Sequence, residues 1–123
     1  VMRTEVHWAE AHENLRAAGE RMARHGIRAL LVAGDDPDDL PGIVTSKDLV
    51  NLLGTHEAAV LDQLQVADIA TRPALCVPQQ TNLRDCVNLM RLHGVRRLPV
   101  LDGTRVVGVL SSTDVFARAL GQS

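Results

Sequence analysis

The chain states one pattern twice. Gly42-Ile43-Val44-Thr45-Ser46-Lys47-Asp48 returns as Gly108-Val109-Leu110-Ser111-Ser112-Thr113-Asp114. Upstream of each copy stands a matched segment, His25-Gly26-Ile27-Arg28 and His93-Gly94-Val95-Arg96. The glycines of a copy are 42 − 26 = 16 residues apart in the first and 108 − 94 = 14 in the second. Two motifs recurring in the same order at nearly the same spacing mark an internal duplication, and a duplication restricts the fold to two like units about a pseudo-twofold axis. Half of 123 residues is marginal for an independent core, so the two units are expected to bury apolar faces against each other.

Aliphatic side chains must fill that core, because the chain is 46% hydrophobic yet has only Trp8 and Phe116 as aromatic residues. A formal net charge of −2 argues against a nucleic-acid binder, which needs a basic surface to displace counterions. The scarcity of rings leaves no platform for stacking single strands. No apolar run approaches the length of a membrane span and no signal-peptide pattern opens the chain, so a cytoplasmic protein without membrane insertion is expected. The Val1 start is compatible with a fragment of a longer protein. Cys76 and Cys86, ten positions apart, match no metal or redox spacing and read as free buried thiols.

The second half carries the clearer local signals. Ala74-Leu75-Cys76-Val77, closed by Pro78, reads as a strand. Thr81 or Asn82 caps a helix with Leu83, Cys86, Val87, Met90 and Leu92 on its apolar side, ended at His93-Gly94. Two β-rich runs around Asp102-Gly103 predict a hairpin, in which Pro99 must sit where its missing N–H does no harm. Ser111 then caps a last helix. The first half repeats the order, with Val6-His7-Trp8-Ala9 as strand, a helix from Asn14 to His25, and hairpin strands joined by a long acidic loop in place of the tight turn. Thr45 caps the next helix, and residues 55–64 are expected to form a connecting helix. The expected fold class is α+β, with tandem repeats of strand-helix-strand-strand-helix spanning 1–54 and 70–123 and a connection over 55–69.

The chemistry collects at the repeated segment. Thr45 and Ser111 stand at helix starts, where free backbone N–H groups and the positive end of the dipole suit a phosphate. Three residues on, Asp48 and Asp114 can accept two hydroxyl hydrogens at once, which matches the cis-diol of a ribose. Arg28, Arg96 and Arg97 offer guanidinium forks to phosphate oxygens, and Ile27, Val95 and Leu98 offer aliphatic walls to a base. The competing reading is structural, since Thr45…Asp48 and Ser111…Asp114 each have the form of a helix capping box with Asp in place of Glu. Lys47 either meets a phosphate or faces solvent.

This organisation resembles the CBS-domain pair, or Bateman module. The resemblance rests on Val66-Ala67-Asp68-Ile69-Ala70-Thr71-Arg72-Pro73 ahead of the second repeat, on His93-Gly94-Val95-Arg96-Arg97-Leu98-Pro99-Val100 within it, and on both glycine-to-aspartate segments. It implies a regulatory ligand sensor, not an enzyme, binding an adenine nucleotide (AMP, ADP or ATP) or S-adenosylmethionine in the cleft between the repeats. It also implies a homodimer, with a fused or separate effector domain as a further partner. No cofactor is required by this reading and no metal is assigned.

The preferred cleft belongs to the second repeat, with Thr71, Arg72 and Pro73 as its floor together with Val95, Arg96, Arg97, Ser111, Thr113 and Asp114. The first-repeat cleft holds Ile27, Arg28, Thr45, Lys47 and Asp48, and has Ala29-Leu30-Leu31 where the other copy has Arg97-Leu98-Pro99. The main alternative is a ligand-free scaffold whose exposed helices dock a partner. Two cation readings are weaker. The aspartates at 35, 36, 38 and 39 fit no calcium-loop spacing, and His7, His12, Cys76 and Cys86 lack the paired spacing of structural zinc.

Overall fold

The computed structural model describes residues 6–121. The terminal stretch Val1-Met2-Arg3-Thr4, expected to precede the first strand, lies outside them. The described chain divides into two compact units, residues 7–73 and residues 74–121, with Val6 grouped with the second.

In the first unit, β1 (Trp8–Ala9) leads to α1 (Leu15–His25), β2 (Ala29–Val32), β3 (Gly42–Thr45) and α2 (Ser46–Leu53). A 3₁₀ helix (Ala58–Gln63) and a one-turn α3 (Val66–Ile69) complete it. The sheet order is β1-β2-β3, with β1 parallel to β2 and β2 antiparallel to β3. The Asn14 side chain accepts from the Ala17 amide and starts α1, which ends at Gly26 with φ 65°. That left-handed turn costs glycine nothing because it has no Cβ. Alternation along β2 and β3 sends Leu30, Val32 and Val44 into a core with Leu15, Ala18 and Met22 of α1. Leu49, Leu61 and Val66 seal it from α2, the 3₁₀ helix and α3.

The second unit repeats the plan with β4 (Val77–Pro78), α4 (Leu83–His93), β5 (Arg97–Asp102), β6 (Arg105–Ser111) and α5 (Ser112–Ala119). Its sheet order is β4-β5-β6, again one parallel and one antiparallel pair. Asn82 caps α4 by accepting from the Asp85 amide at 2.9 Å, and Gly94 ends it with φ 64°. The core joins Val77, Cys86, Met90, Leu98, Val100, Leu110 and Val115.

Pro99 lies inside the central strand, and the ladder shows why it is tolerated. The Arg96 carbonyl accepts from Ser112 on the β6 side, while the Leu101 carbonyl accepts from Gln79 on the β4 side. Backbone groups alternate by twos, so residue 99 faces β4, whose pairing begins only at Val100. The hairpin loop is Gly103-Thr104, one residue later than the expected Asp-Gly centre, because Asp102 pairs with Arg105. Gly103 takes φ 65° and no described non-glycine residue has positive φ, the pattern of a type II′ turn. Val107 is the extra residue of a bulge, since Val100 pairs with Gly108 and Leu101 with Val106.

Three local expectations change. The strand expected at 74–77 is confined to Val77–Pro78, and the one expected at 6–9 to Trp8–Ala9. The connecting helix is a 3₁₀ helix of six residues. It is held from outside by Arg16, whose guanidinium donates to the Asp62 carboxylate at 2.6 Å and to the Ala58 carbonyl at 2.9 Å.

Candidate ligand site

Each repeated segment folds as the end of a strand turning into a helix. Thr45 closes β3 and caps α2, and Ser111 closes β6 and caps α5. In the first, the Thr45 amide donates to Asp48 Oδ2 at 2.8 Å, and the Asp48 amide donates back to Thr45 Oγ1 at 3.3 Å. The Thr45 hydroxyl also donates to Asp48 Oδ2, at 3.0 Å. In the second, the Ser111 amide donates to Asp114 Oδ2 and the Asp114 amide to Ser111 Oγ, both at 3.1 Å. Both capping boxes are therefore formed, as the structural reading of these residues required.

The boxes narrow what a ligand can find. Four amides lack an intrahelical partner at a helix start. Here the cap amide and the third helical amide are taken by the box. The first helical amide is taken by the residue before the hairpin: Ser46 N–H donates to the Arg28 carbonyl at 2.9 Å, and Ser112 N–H to the Arg96 carbonyl at 2.8 Å. What remains is one amide per repeat, that of Lys47 and that of Thr113, with no protein partner among the described residues. The amide left free in each copy lies two residues beyond Thr45 or Ser111, at positions whose side chains are an exposed ammonium in one copy and an exposed hydroxyl in the other. Each aspartate is half-buried, and Oδ2 carries its box bonds while Oδ1 carries none among the described residues. A carboxylate oxygen held in place by its twin is a pre-oriented acceptor for a hydroxyl.

The same carbonyl bonds bring Arg28 beside the start of α2 and Arg96 beside the start of α5, both with exposed side chains. Arg97 is half-buried and pairs with Ser111 across the ladder. Ile27 and Val95 are half-buried and pack on the cores of their own units, so only part of each side chain is open to a ligand.

Thr71, Arg72 and Pro73, expected at the floor of the second-repeat cleft, run beside the edge strand of the first unit's sheet. The Ile43 amide donates to the Thr71 carbonyl at 3.0 Å and the Thr71 amide returns a bond to the Ile43 carbonyl at 2.9 Å. Thr71 thereby extends the sheet beyond β3, the strand that ends in Thr45. The Arg72 stem crosses Gly42, where an added Cβ would meet Arg72 Cγ at 2.8 Å. The physical reason is an unpaired outer edge on β3, which attracts the next extended backbone to reach it.

No cluster of three or more His, Cys, Asp or Glu able to hold a metal occurs among the described residues. Asp39 Oδ2 instead accepts from the Asp36 amide at 3.1 Å and closes the acidic turn, and His12 contacts Gln65 at 3.3 Å. Cys86 is buried and Cys76 half-buried, both free, and burial pushes both thiols up from their ordinary pKa. Among the described residues no helix is long and apolar enough to cross a membrane.

The sequence profile described as CBS domain matches twice, at residues 1–55 and 66–121. Hypoxic response protein 1 of Mycobacterium tuberculosis is 31% identical over 115 residues, covering 94% of this chain and 79% of its own. Among solved structures, the hexameric CBS-CP12 protein from bloom-forming cyanobacteria has TM-score 0.84 at 24% identity. It is matched over 94% of this chain, which spans only 63% of the cyanobacterial one. CBSX2, solved in complex with AMP, has TM-score 0.78 at 26% identity, with 98% of this chain and 92% of that one covered. The repeated strand-to-helix segments, the two like units and the double profile match together make this chain a member of the CBS-domain family, carrying a tandem pair of CBS domains.

Proposed function

We propose that this CBS pair is a regulatory module, without catalysis of its own, that binds an adenosyl ligand through its repeated helix-start segments. The observation that carries the reading is the duplicated aspartate whose Oδ2 is fixed by the capping box while Oδ1 stays available. In this reading Asp48 or Asp114 takes the ribose diol, and phosphate oxygens meet the free amide of Lys47 or Thr113 with Arg28 or Arg96 alongside. The AMP complex of CBSX2 supports the ligand class. Regulation then follows from linkage, because a ligand shifts a conformational equilibrium only by its difference in affinity for the two states.

The test is a thermal-shift screen of AMP, ADP, ATP and S-adenosylmethionine on the wild-type chain and on Asp48→Ala and Asp114→Ala. A ligand at one hundred times its Kd stabilises by about 2.7 kcal/mol, a rise of roughly five to ten degrees for a domain of this size. A rise abolished by one of the two substitutions supports the proposal and names the segment. No rise with any of the four at millimolar concentration removes it.

A second reading has its own observation. Val50 and Leu53 of α2 are 66% and 44% exposed, and Phe116 of α5 and Leu120 just after it are 65% and 60% exposed. Such apolar helix faces suit association, with a second copy of the chain as the first candidate.

A further inference from the structure

A cavity of about 410 Å³ lies wholly within the first unit, away from the capping box. Its size is in the usual range of small-molecule sites, ~300–1,000 Å³. Val32 and Gly42, which face each other across the hairpin, line it at the end of the β2–β3 ladder that the acidic loop connects. Thr45 lies at the open end of that ladder, paired with Ala29 and three residues from Gly42, a separation of roughly 10 Å along the strand.

Three charges line this cavity: the carboxylates of Asp35 and Asp39 from the acidic loop and the guanidinium of Arg72 from the segment that extends the sheet. Arg72 forms no ion pair with either carboxylate, although all three border the same space. Two glycines set the side chains in place. Gly42 lets the Arg72 stem lie flat on the strand, and Gly34 lets Asp39 fold back over the loop. Asp39 keeps Oδ1 beyond its turn-closing bond from Asp36. Leu40 and Pro73 add apolar lining beside these charges.

We propose that this cavity binds a free basic α-amino acid of the lysine or ornithine type. The charge count selects the class. Two carboxylates and one guanidinium are neutralised by a molecule with two ammonium groups and one carboxylate. Its carboxylate pairs in two-point fashion with Arg72, its ammonium groups pair with Asp35 and Asp39, and its methylene stem lies on Leu40 and Pro73. A diamine leaves Arg72 unmatched, and a neutral amino acid leaves one carboxylate unmatched. The inference is independent of adenosyl binding at the capping boxes.

Isothermal titration of the full chain with L-lysine and L-ornithine tests it, with cadaverine and L-norleucine as ligands lacking the carboxylate or the side-chain amine. Binding of at least one basic amino acid is expected, with both reference ligands weaker by about tenfold or more, the usual effect of losing a charge-assisted bond. Arg72→Gln and Asp35→Asn, both at exposed positions whose circular dichroism is expected to be unchanged, each weaken it by about tenfold or more. Asp48→Ala and Asp114→Ala leave it unchanged. No heat with either basic amino acid at millimolar concentration overturns the proposal. So does undiminished affinity in Arg72→Gln, equal affinity for cadaverine, or loss of binding in Asp48→Ala.

Discussion

The two capping boxes differ by one hydrogen bond, and that difference is measurable. In the first repeat, Thr45 and Asp48 share three bonds: two onto Asp48 Oδ2, from the Thr45 amide and hydroxyl, and one returned from the Asp48 amide to the Thr45 hydroxyl oxygen. Asp48→Ala removes the first two and Thr45→Ala the last two, so the hydroxyl–carboxylate bond is lost in either single variant. Each such bond contributes about 1 kcal/mol. Each single substitution is then worth about 2 kcal/mol and the double about 3 kcal/mol, a coupling of about 1 kcal/mol. In the second repeat Ser111 and Asp114 share only the two backbone-to-side-chain bonds, and each single variant removes a different one. Those two effects, about 1 kcal/mol each, should add with a coupling below about 0.5 kcal/mol.

Urea denaturation followed by far-ultraviolet circular dichroism, with midpoint shifts read at a common slope, gives both cycles. Equal couplings in the two repeats, or no coupling in the first, would refute the bond count. The functional corollary follows from the same atoms. The Thr45 hydroxyl proton is committed to its aspartate, whereas the Ser111 hydroxyl has no protein acceptor among the described residues and in the proposed function would offer its proton to a phosphate oxygen.

Two further perturbations bear on the fold. Leu98→Ala empties a site that is 0% exposed in the second core and should cost about 2–5 kcal/mol, whereas Leu92→Ala, at 80% exposure on α4, should change stability by less than about 0.5 kcal/mol; urea midpoints separate the two. Burial raises the Cys76 and Cys86 thiols, so above the ordinary thiol pKa the unfolded chain releases protons that the folded chain keeps. Stability should therefore fall as pH rises through about 8 to 10, and the Cys76→Ala/Cys86→Ala variant should flatten that decline.

The duplication was legible because each element of one copy has a counterpart in the other with the same local cause. Asn14 and Asn82 cap, Gly26 and Gly94 terminate, and Thr45 and Ser111 cap again. These are signals within four residues of one another, and short-range chemistry is what a sequence displays directly. The short outer strands were over-extended for the opposite reason. The run 74–77 is apolar enough for a strand, but a strand exists only where a partner runs beside it, and β5 offers β4 only Val100 and Leu101. The 3₁₀ character of Ala58–Gln63 was equally hidden, since its bonds from Arg16 arrive from more than forty residues away.

The candidate site shows the same division at the level of single atoms. Aspartate at the third helical position was readable from spacing, and so was its competing structural role; the two prove compatible because a carboxylate has two oxygens and the box engages one. Which backbone donors stay free was not readable, because the amides of Ser46 and Ser112 are consumed by the carbonyls of Arg28 and Arg96, which lie 18 and 16 residues earlier in sequence. The fate of Thr71-Arg72-Pro73 was harder still. These residues stand directly ahead of the second repeat in sequence, and the unpaired edge of β3 captures Thr71 through two backbone bonds that no side chain announces. That capture sets Arg72 over Gly42, in the lining of the cavity that Asp35 and Asp39 also border. A Gly42→Ala substitution would force the Arg72 stem from its bed while leaving the capping box at the far end of the strand intact. Arg72 therefore owes its place to the backbone of β3, so the chemistry of this cavity was written less in its charged residues than in the glycine beneath one of them.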